Sequence, residues 1–273
     1  MMCLKFKDKR LFVGLANGQI RVYTRSYGTF DGRRSVLDSK NGLNCQYILE
    51  DDETYRNSVT SLEFVNPPGT QNEEPLLVVT YVTGLVKFWH VTGKQCLSSI
   101  KEKGSESLAC SIDRNQKFMY TAGDNLDKRK ETFAINRYDV ETCKLVGSYS
   151  ASSGTTQGNY KTTASIDGHV RRIFSVKCNP VNENYFISAG WDDTIQYWDV
   201  RQPHAVKRIV GPHVCSESGL DISQDGQHIL AGSWRRIDNI QIFNWASGKL
   251  ENSIRMSPRQ FPVQPYGQLN SGC

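Results

Sequence analysis

The feature that most constrains the fold is the stretch of residues 168–201, GHVRRIFSVKCNPVNENYFISAGWDDTIQYWDVR. Side chains alternate with a period of two from Ile173 to Cys178 and again from Thr194 to Trp198, which indicates β-strands. A short apolar run lies between them at Tyr185 to Ser188, and a fourth run, Ala205 to Val210, follows a proline turn. None of these runs has helical spacing, so the segment predicts four short strands joined by turns.

Weaker copies of this layout recur along the chain. Five strand-like stretches can be aligned on an aromatic residue, at Tyr23, Trp89, Tyr138, Trp198 and Phe243. Each is followed by a candidate for a further strand. The spacing of the copies is uneven because polar insertions interrupt them, at 26–44, 125–133 and 151–166. We expect the last insertion, which is rich in Ser, Thr, Gly and Asn, to be mobile.

The repeated layout resembles that of the WD-repeat family, most closely in residues 168–201, which open with Gly168-His169 and close with Trp198-Asp199. The resemblance implies an all-β protein: a β-propeller of about five four-stranded blades in residues 1–255, followed by a proline-containing flexible tail at 256–273. The expected blades are 3–50, 57–100, 105–150, 168–210 and 213–255.

The number of blades leaves two alternatives open. Propellers of this family usually close with seven blades, so the chain can be an incomplete wheel or a section of a larger propeller. The other alternative is a genuine small or open wheel. An unclosed propeller would present two bare sheet edges, which is an aggregation hazard.

The resemblance also implies a buried hydrogen-bonded chain of four side chains in the fourth blade, His169, Ser188, Asp192 and Trp198. A buried imidazole and a buried indole N–H need partners, and a satisfied network makes the turn rigid. A His–Ser–Asp set also suggests a hydrolase. Against this, the family's set is structural, and nothing in the sequence indicates a substrate cleft or an oxyanion hole. The fifth blade keeps His213 but has Arg235 at the Asp position.

Composition excludes several other classes. The sequence has no run of 18 apolar residues, and its first ten residues, MMCLKFKDKR, lack an apolar signal core. We therefore expect an intracellular protein, in the cytoplasm foremost, with the nucleus or cilium as alternatives. The net charge of +5 is scattered in pairs and not in a stripe, which argues against nucleic acid. No CxxC pair, P-loop, HExxH or GxSxG pattern occurs, so no metal, cofactor or catalytic residue is predicted.

The leading functional hypothesis is a non-enzymatic scaffold that binds proteins or peptides. One alternative is a substrate receptor of a cullin-4-type ubiquitin ligase, because residues 186–201 fit the sixteen-residue box of such receptors, in which the arginine, here Arg201, meets the adaptor. A more remote alternative is a propeller that binds phosphoinositides or another ligand. The Phe-Arg-Arg-Gly turn of lipid-binding propellers is absent from Val170–Ile173 and Trp234–Ile237.

The turns between the second and third strands of each blade supply the candidate partner-binding residues. In the WD-repeat family these turns lie on one face, and the residue before the turn Asp is a common contact. The equivalent positions here are Ala16, Val82, Asp124, Trp191 and Trp234. Two tryptophans with nearby arginines have the composition of an interface hot spot and favour an acidic or phosphorylated partner. The candidates are Trp191, Trp234, Arg171, Arg172, Arg235 and Arg236; the alternative is that each tryptophan packs across a junction between blades.

Overall fold

The structure is a computed structural model. It describes residues 3–25, 43–66, 74–102, 105–125, 133–152, 167–234 and 238–254. The expectations for the polar insertions lie largely outside these ranges. Those for the tail and for Arg235 and Arg236 lie wholly outside them.

In the described residues, twenty strands form five antiparallel four-stranded sheets, and the order of strands in each sheet is their order in the chain. Sheet A contains β1 (Cys3–Lys7), β2 (Arg10–Gly14), β3 (Ile20–Arg25) and β4 (Leu43–Leu49). Sheet B contains β5 (Val59–Val65), β6 (Leu76–Tyr81), β7 (Leu85–His90) and β8 (Gln95–Lys101). Sheet C contains β9 (Ser105–Ile112), β10 (Phe118–Asn125), β11 (Ile135–Asp139) and β12 (Leu145–Tyr149). Sheet D contains β13 (Ile173–Cys178), β14 (Tyr185–Gly190), β15 (Thr194–Asp199) and β16 (Ala205–Val210). Sheet E contains β17 (Leu220–Ile222), β18 (His228–Gly232), β19 (Ile240–Asn244) and β20 (Leu250–Ile254).

This architecture confirms the predicted all-β class built from four-stranded sheets of the propeller-blade type. A single turn of 3-10 helix, Glu217–Gly219, precedes β17. Among the described residues, no helix is long and apolar enough to cross a membrane.

The core lies between successive sheets, which pack face to face in chain order. Sheets A and B share one apolar cluster, and the next three clusters join B to C, C to D and D to E. Both faces of the middle sheets are therefore covered. This explains why every residue of β15 is buried, although its sequence alternates polar and apolar side chains.

The turns between the second and third strands share a backbone conformation that fixes their tips. Gly18, Gly84 and Asp193 occupy the same turn position in sheets A, B and D, with φ of 93°, 77° and 59°. Glycine adopts this left-handed region without strain, and Asp tolerates it better than most side chains. The residue two positions before each of these, which is Trp191 in sheet D, is thereby held at the tip of the turn.

Candidate protein-interaction face

The four predicted network residues of sheet D are brought together by strand register. In β14, Ser188 follows Phe186 by two residues, and Phe186 lies directly opposite Trp198 of β15. The Trp198 indole N–H donates to Ser188 Oγ at 2.7 Å. His169 Nε2 lies 2.6 Å from the same oxygen, and His169 Nδ1 lies 2.7 Å from Asp192 Oδ2. The chain of hydrogen bonds thus ties the loop before β13 to the β14–β15 turn.

The hydrogen-bond contacts fit one arrangement of the protons on Ser188 and His169. Because Ser188 Oγ accepts from Trp198, its own hydrogen is available for His169 Nε2, and His169 Nδ1–H can donate to the Asp192 carboxylate. That carboxylate also accepts from the Thr194 hydroxyl and the Val170 N–H. Burial opposes the charge of Asp192, but attraction to His169 and these hydrogen bonds outweigh it and lower the pKa of its carboxyl below the ordinary value.

The same geometry argues against a hydrolase site. His169 and Ser188 are completely buried, and the side chain of Asp192 is nearly so. The Ser188 hydroxyl is engaged by both the imidazole and the indole. A nucleophile needs access to its substrate, so this arrangement suits a structural network.

Sheet C has no His before its first strand, and a glutamate takes its role. The sequence analysis did not identify this residue. Glu102 is buried in the equivalent loop and accepts hydrogen bonds from four side chains. Tyr138 OH donates at 2.8 Å, and Ser107 and Asn136 donate at 3.2 Å each. Thr121 Oγ1 is the fourth donor. By register, Thr121 and Tyr138 correspond to Ser188 and Trp198, so the carboxylate takes the place of the imidazole.

Sheet B has ion pairs around a buried lysine in place of the network. Lys87 lies on β7, at the register position of Gln196 in sheet D, and its side chain is almost fully buried. Its ammonium contacts Asp51 and lies 2.8 Å from Glu53, both in the loop before β5. Burial disfavours this charge, but the two carboxylates overcome it and raise the pKa of Lys87.

In sheet E, His213 does not repeat the role of His169. Its Nδ1 lies 2.6 Å from Asp193 Oδ1, on the turn of the preceding sheet. Its backbone N–H donates to Ser233 Oγ, and its carbonyl accepts from the Trp234 N–H. His213 therefore joins the Trp191 turn to the Trp234 turn, so the two candidate partner-binding tryptophans lie on turns that are linked by hydrogen bonds.

Both tryptophans are half-exposed at these turns, with 41% of the surface of Trp191 and 48% of that of Trp234 accessible. The Trp191 ring lies 5.0 Å from the Phe174 ring, and the Arg172 guanidinium carbon lies 5.3 Å from its centroid. Gly190 allows this close packing: an added Cβ would lie 2.1 Å from the carbonyl of Arg172, which accepts from the Trp191 N–H. One side of the indole is thus supported by the protein, and the rest is open to solvent.

The predicted arginines differ in their surroundings. Arg172 donates to the Asp124 carboxylate, with its Nε at 2.8 Å, and it also pairs with Glu106 at 3.3 Å. Its charge is therefore balanced within the protein, across the junction of sheets C and D. Arg171 is exposed.

Arg201, the predicted adaptor contact, lies just after β15. Its side chain is 65% exposed, while its Nε and Nη2 donate to the two oxygens of Asp199 at 2.8 and 2.5 Å. This pair lowers the pKa of Asp199 through the hydrogen bonds from Arg201. The guanidinium is thus oriented by its own strand and still accessible. Among the described residues, no three His, Cys, Asp or Glu side chains cluster so that they could hold a metal ion.

Comparison with known proteins agrees with this architecture. The sequence model of the family described as WD domain, G-beta repeat, matches residues 160–199. The BTB/POZ domain and WD-repeat protein R783 of Acanthamoeba polyphaga mimivirus is 22% identical over 199 residues, which cover 70% of this chain and 32% of that protein. The small ribosomal subunit protein RACK1 of Dictyostelium discoideum is 31% identical over 83 residues, which cover 29% of this chain and 25% of that protein. The matched residues thus span about a third of the mimivirus protein and a quarter of the Dictyostelium protein.

The matched repeat, the two relatives and the five four-stranded sheets support the predicted resemblance to the WD-repeat family. WD-repeat propellers are in general non-catalytic protein-interaction scaffolds, and these matches point to no enzyme family.

Proposed function

We propose that the chain is a non-enzymatic binding module that captures a protein or peptide partner with Trp191 and Trp234. The observation that carries the proposal is the pair of half-exposed tryptophans on the turns of neighbouring sheets, joined through His213. Tryptophan is enriched among residues that dominate binding energy, because it offers a large apolar surface with a hydrogen-bond donor.

Support beneath Trp191 makes it a better anchor than an ordinary surface aromatic. Phe174 and Arg172 pack against the indole, and the Arg172 side chain is itself held by Asp124 and Glu106. A side chain that is already ordered loses less conformational entropy when a partner binds. These contacts lie within sheet D, so they are not the packing across a junction between blades that was the alternative, and 41% of the Trp191 surface stays accessible.

The proposed acidic or phosphorylated character of the partner depends on the other arginines. Arg172 is engaged by carboxylates, so its charge adds little attraction for a second acid. The proposal then relies on Arg171, which is exposed, and on Arg235 and Arg236, which follow Trp234 in the sequence. A charge-assisted contact from these arginines would favour phosphate or carboxylate groups near the indoles.

Partner capture tests the proposal. We expect Trp191→Ala and Trp234→Ala each to weaken capture by at least about 1 kcal/mol, as truncation of a hot spot does. Pull-downs from cell extract, with partners quantified by mass spectrometry, are compared with melting curves of the same proteins. Leu97→Ala, at an exposed apolar position on β8, is the matched control. Folded tryptophan variants that retain the full partner set would disprove the role.

A second candidate function is that of a substrate receptor in a cullin-4-type ligase, favoured by the exposed and oriented guanidinium of Arg201. In this proposal Arg201 meets the ligase adaptor while the tryptophan face holds the substrate. We expect Arg201→Ala to abolish co-purification of the adaptor and to leave capture by Trp191 and Trp234 unchanged. Arg171→Ala serves as the control for loss of an exposed positive charge; equal adaptor recovery from both variants would exclude the receptor role.

A further inference from the structure

The loop before β5 presents an aromatic side chain that the proposed function does not use. Tyr55, in the middle of this loop, is 71% exposed. The other tyrosines of the described residues are buried or half-buried: Tyr23, Tyr47, Tyr81, Tyr120, Tyr138, Tyr149, Tyr185 and Tyr197. Within the part of the chain that the structure describes, Tyr55 is therefore the most accessible tyrosine.

The backbone of this loop is held by contacts that do not involve the Tyr55 side chain. Thr54 is completely buried, and its N–H donates to Asp51 Oδ1 at 3.1 Å. In return, the Asp51 N–H donates to Thr54 Oγ1 at 3.0 Å. The side-chain amide of Asn57 donates to Thr83 Oγ1, on the β6–β7 turn, at 2.7 Å. The loop is thus fixed on both sides of Tyr55, while the ring points away from the contacts that fix it.

Tyr55 also carries the accessible hydroxyl of the loop. The Thr54 hydroxyl is buried and donates to a backbone carbonyl of the loop at 2.9 Å. The Ser58 hydroxyl donates to a carbonyl of the β2–β3 turn at 2.8 Å. The Tyr55 ring is contacted by the guanidinium of Arg56, whose carbon lies 5.2 Å from the ring centroid. An enzyme that modifies a hydroxyl in this loop would therefore reach Tyr55 first.

Four acidic residues, 50–53 (EDDE), precede Tyr55 by two to five positions. Asp52 is exposed, and the side chain of Glu53 is 67% exposed. The Lys87 ammonium balances one negative charge, so the loop is acidic on a chain whose net charge is +5. Charge patterns beside the acceptor are one way in which kinases distinguish their substrates. Acidic residues before the acceptor suit a tyrosine kinase with a basic substrate groove.

We propose that Tyr55 is a phosphorylation site of a tyrosine kinase. The Tyr55 hydroxyl oxygen attacks the γ-phosphorus of ATP, the bond from that phosphorus to the ADP oxygen breaks, and the hydroxyl proton passes to a carboxylate base of the kinase. A tyrosine hydroxyl lies further from the backbone than that of Ser or Thr, so it can enter the kinase cleft while the loop stays folded. The proposal is independent of the tryptophan turns.

The phosphate would change the surface of the loop and leave its framework intact. It adds a charge of about −1.5 to −2 at pH 7. Arg56 is the neighbouring cation and can pair with it, whereas Asp52 and Glu53 repel it. Because the hydrogen bonds that hold the loop do not use Tyr55, we expect the phosphorylated chain to melt at nearly the same temperature. The phosphotyrosine is then a group that an arginine-lined pocket recognises.

A sulfate ester is the other anion that a tyrosine in an acidic sequence can receive. It is added in the secretory compartment, where thiols are oxidised. All seven cysteines of the described residues are free, which is typical of a reducing compartment. This observation favours phosphate.

Phosphorylation of the folded full chain tests the site. The wild type, Tyr55→Phe and Tyr185→Phe are incubated with Mg-ATP and a panel of purified tyrosine-kinase domains, and the phosphate is mapped by mass spectrometry. We expect phosphate at position 55 of the wild type and of Tyr185→Phe, whose substituted tyrosine is half-buried, and its loss in Tyr55→Phe. Asp52→Asn should lower kcat/KM about threefold, because one exposed charge near the acceptor is lost.

Several outcomes would overturn the proposal. One is a panel that phosphorylates a control peptide but not Tyr55 of the folded chain. Another is phosphate at Tyr55 only after denaturation in urea, because the folded loop is then not the substrate. An unchanged rate for Asp52→Asn would contradict recognition of the acidic residues.

The chain recovered from cultured eukaryotic cells supplies a second measurement. A modification of Tyr55 that a tyrosine phosphatase removes would support the proposal. One that resists the phosphatase would identify a sulfate and overturn it.

Discussion

At the scale of single residues, the network around Trp198 decides how sheet D is held. Its indole packs on Phe186 and Tyr149 while its N–H is satisfied by Ser188, so the largest side chain of the sheet leaves no polar group unpaired. The His169 imidazole then carries the connection to Asp192. Each member thus satisfies the next, and removal of one leaves its neighbours unpaired.

We expect Trp198→Ala to reduce the free energy of unfolding by about 3–5 kcal/mol, because a large buried aromatic is lost. His169→Ala should cost about 1–3 kcal/mol, since it leaves buried polar groups unsatisfied. Chemical denaturation of the purified proteins measures both. Unchanged stability in the two variants would show that the network does not hold the sheet.

The lowered pKa of Asp192 makes part of the stability depend on pH. A carboxyl whose pKa is lower in the folded protein stabilises that state fully above its ordinary value of 3.8, and this contribution is lost as the pH falls through the folded value. We therefore expect stability to fall below about pH 4 more steeply in the wild type than in Asp192→Asn. Thermal melts from pH 6 to pH 2.5 make the comparison; parallel curves for the two proteins would contradict the assignment.

At the scale of elements, sequence patterns predicted the strands better than the buried polar side chains that connect each sheet to its loops. The four strands of sheet D follow from alternation and turn residues, and residues 173–178 and 205–210 agree with the structure at both ends. The network residues of that sheet were identified through the family resemblance. Glu102 and Lys87 could not be found in this way, because their residue types differ from the motif and their partners are fixed only when a loop folds onto the sheet. The position of Glu102, in the loop before a first strand, was the available signal.

Variants of Glu102 test whether its carboxylate takes, in sheet C, the place that the His169 imidazole has in sheet D. We expect Glu102→Leu to cost about 3 kcal/mol or more, because the hydroxyls of Ser107, Thr121 and Tyr138 and the amide of Asn136 lose their acceptor. Glu102→Gln keeps the shape and one acceptor oxygen, so its cost should be smaller, about 1–2 kcal/mol. Denaturation curves of the wild type and of both variants measure the two costs. Variants as stable as the wild type would mean that the carboxylate does not organise sheet C.

At the scale of the whole molecule, the five similar sheets repeat one turn, between the second and third strands, and in sheets D and E this turn carries a half-exposed tryptophan. The sequence indicated this surface from the positions of Trp191 and Trp234. It did not indicate that Arg172 would be engaged by Asp124 and Glu106, because ion pairs across a junction depend on how neighbouring sheets are placed.

The affinity of one captured partner for the wild type and for a Trp191→Ala, Trp234→Ala double variant tests the central claim most directly. Isothermal titration calorimetry with a purified partner from the pull-downs supplies the dissociation constants. We expect the double variant to bind at least about 30-fold more weakly, which corresponds to a loss of about 2 kcal/mol, and to melt at a temperature close to that of the wild type. An unchanged dissociation constant in a folded double variant would contradict the claim that the tryptophan face binds the partner.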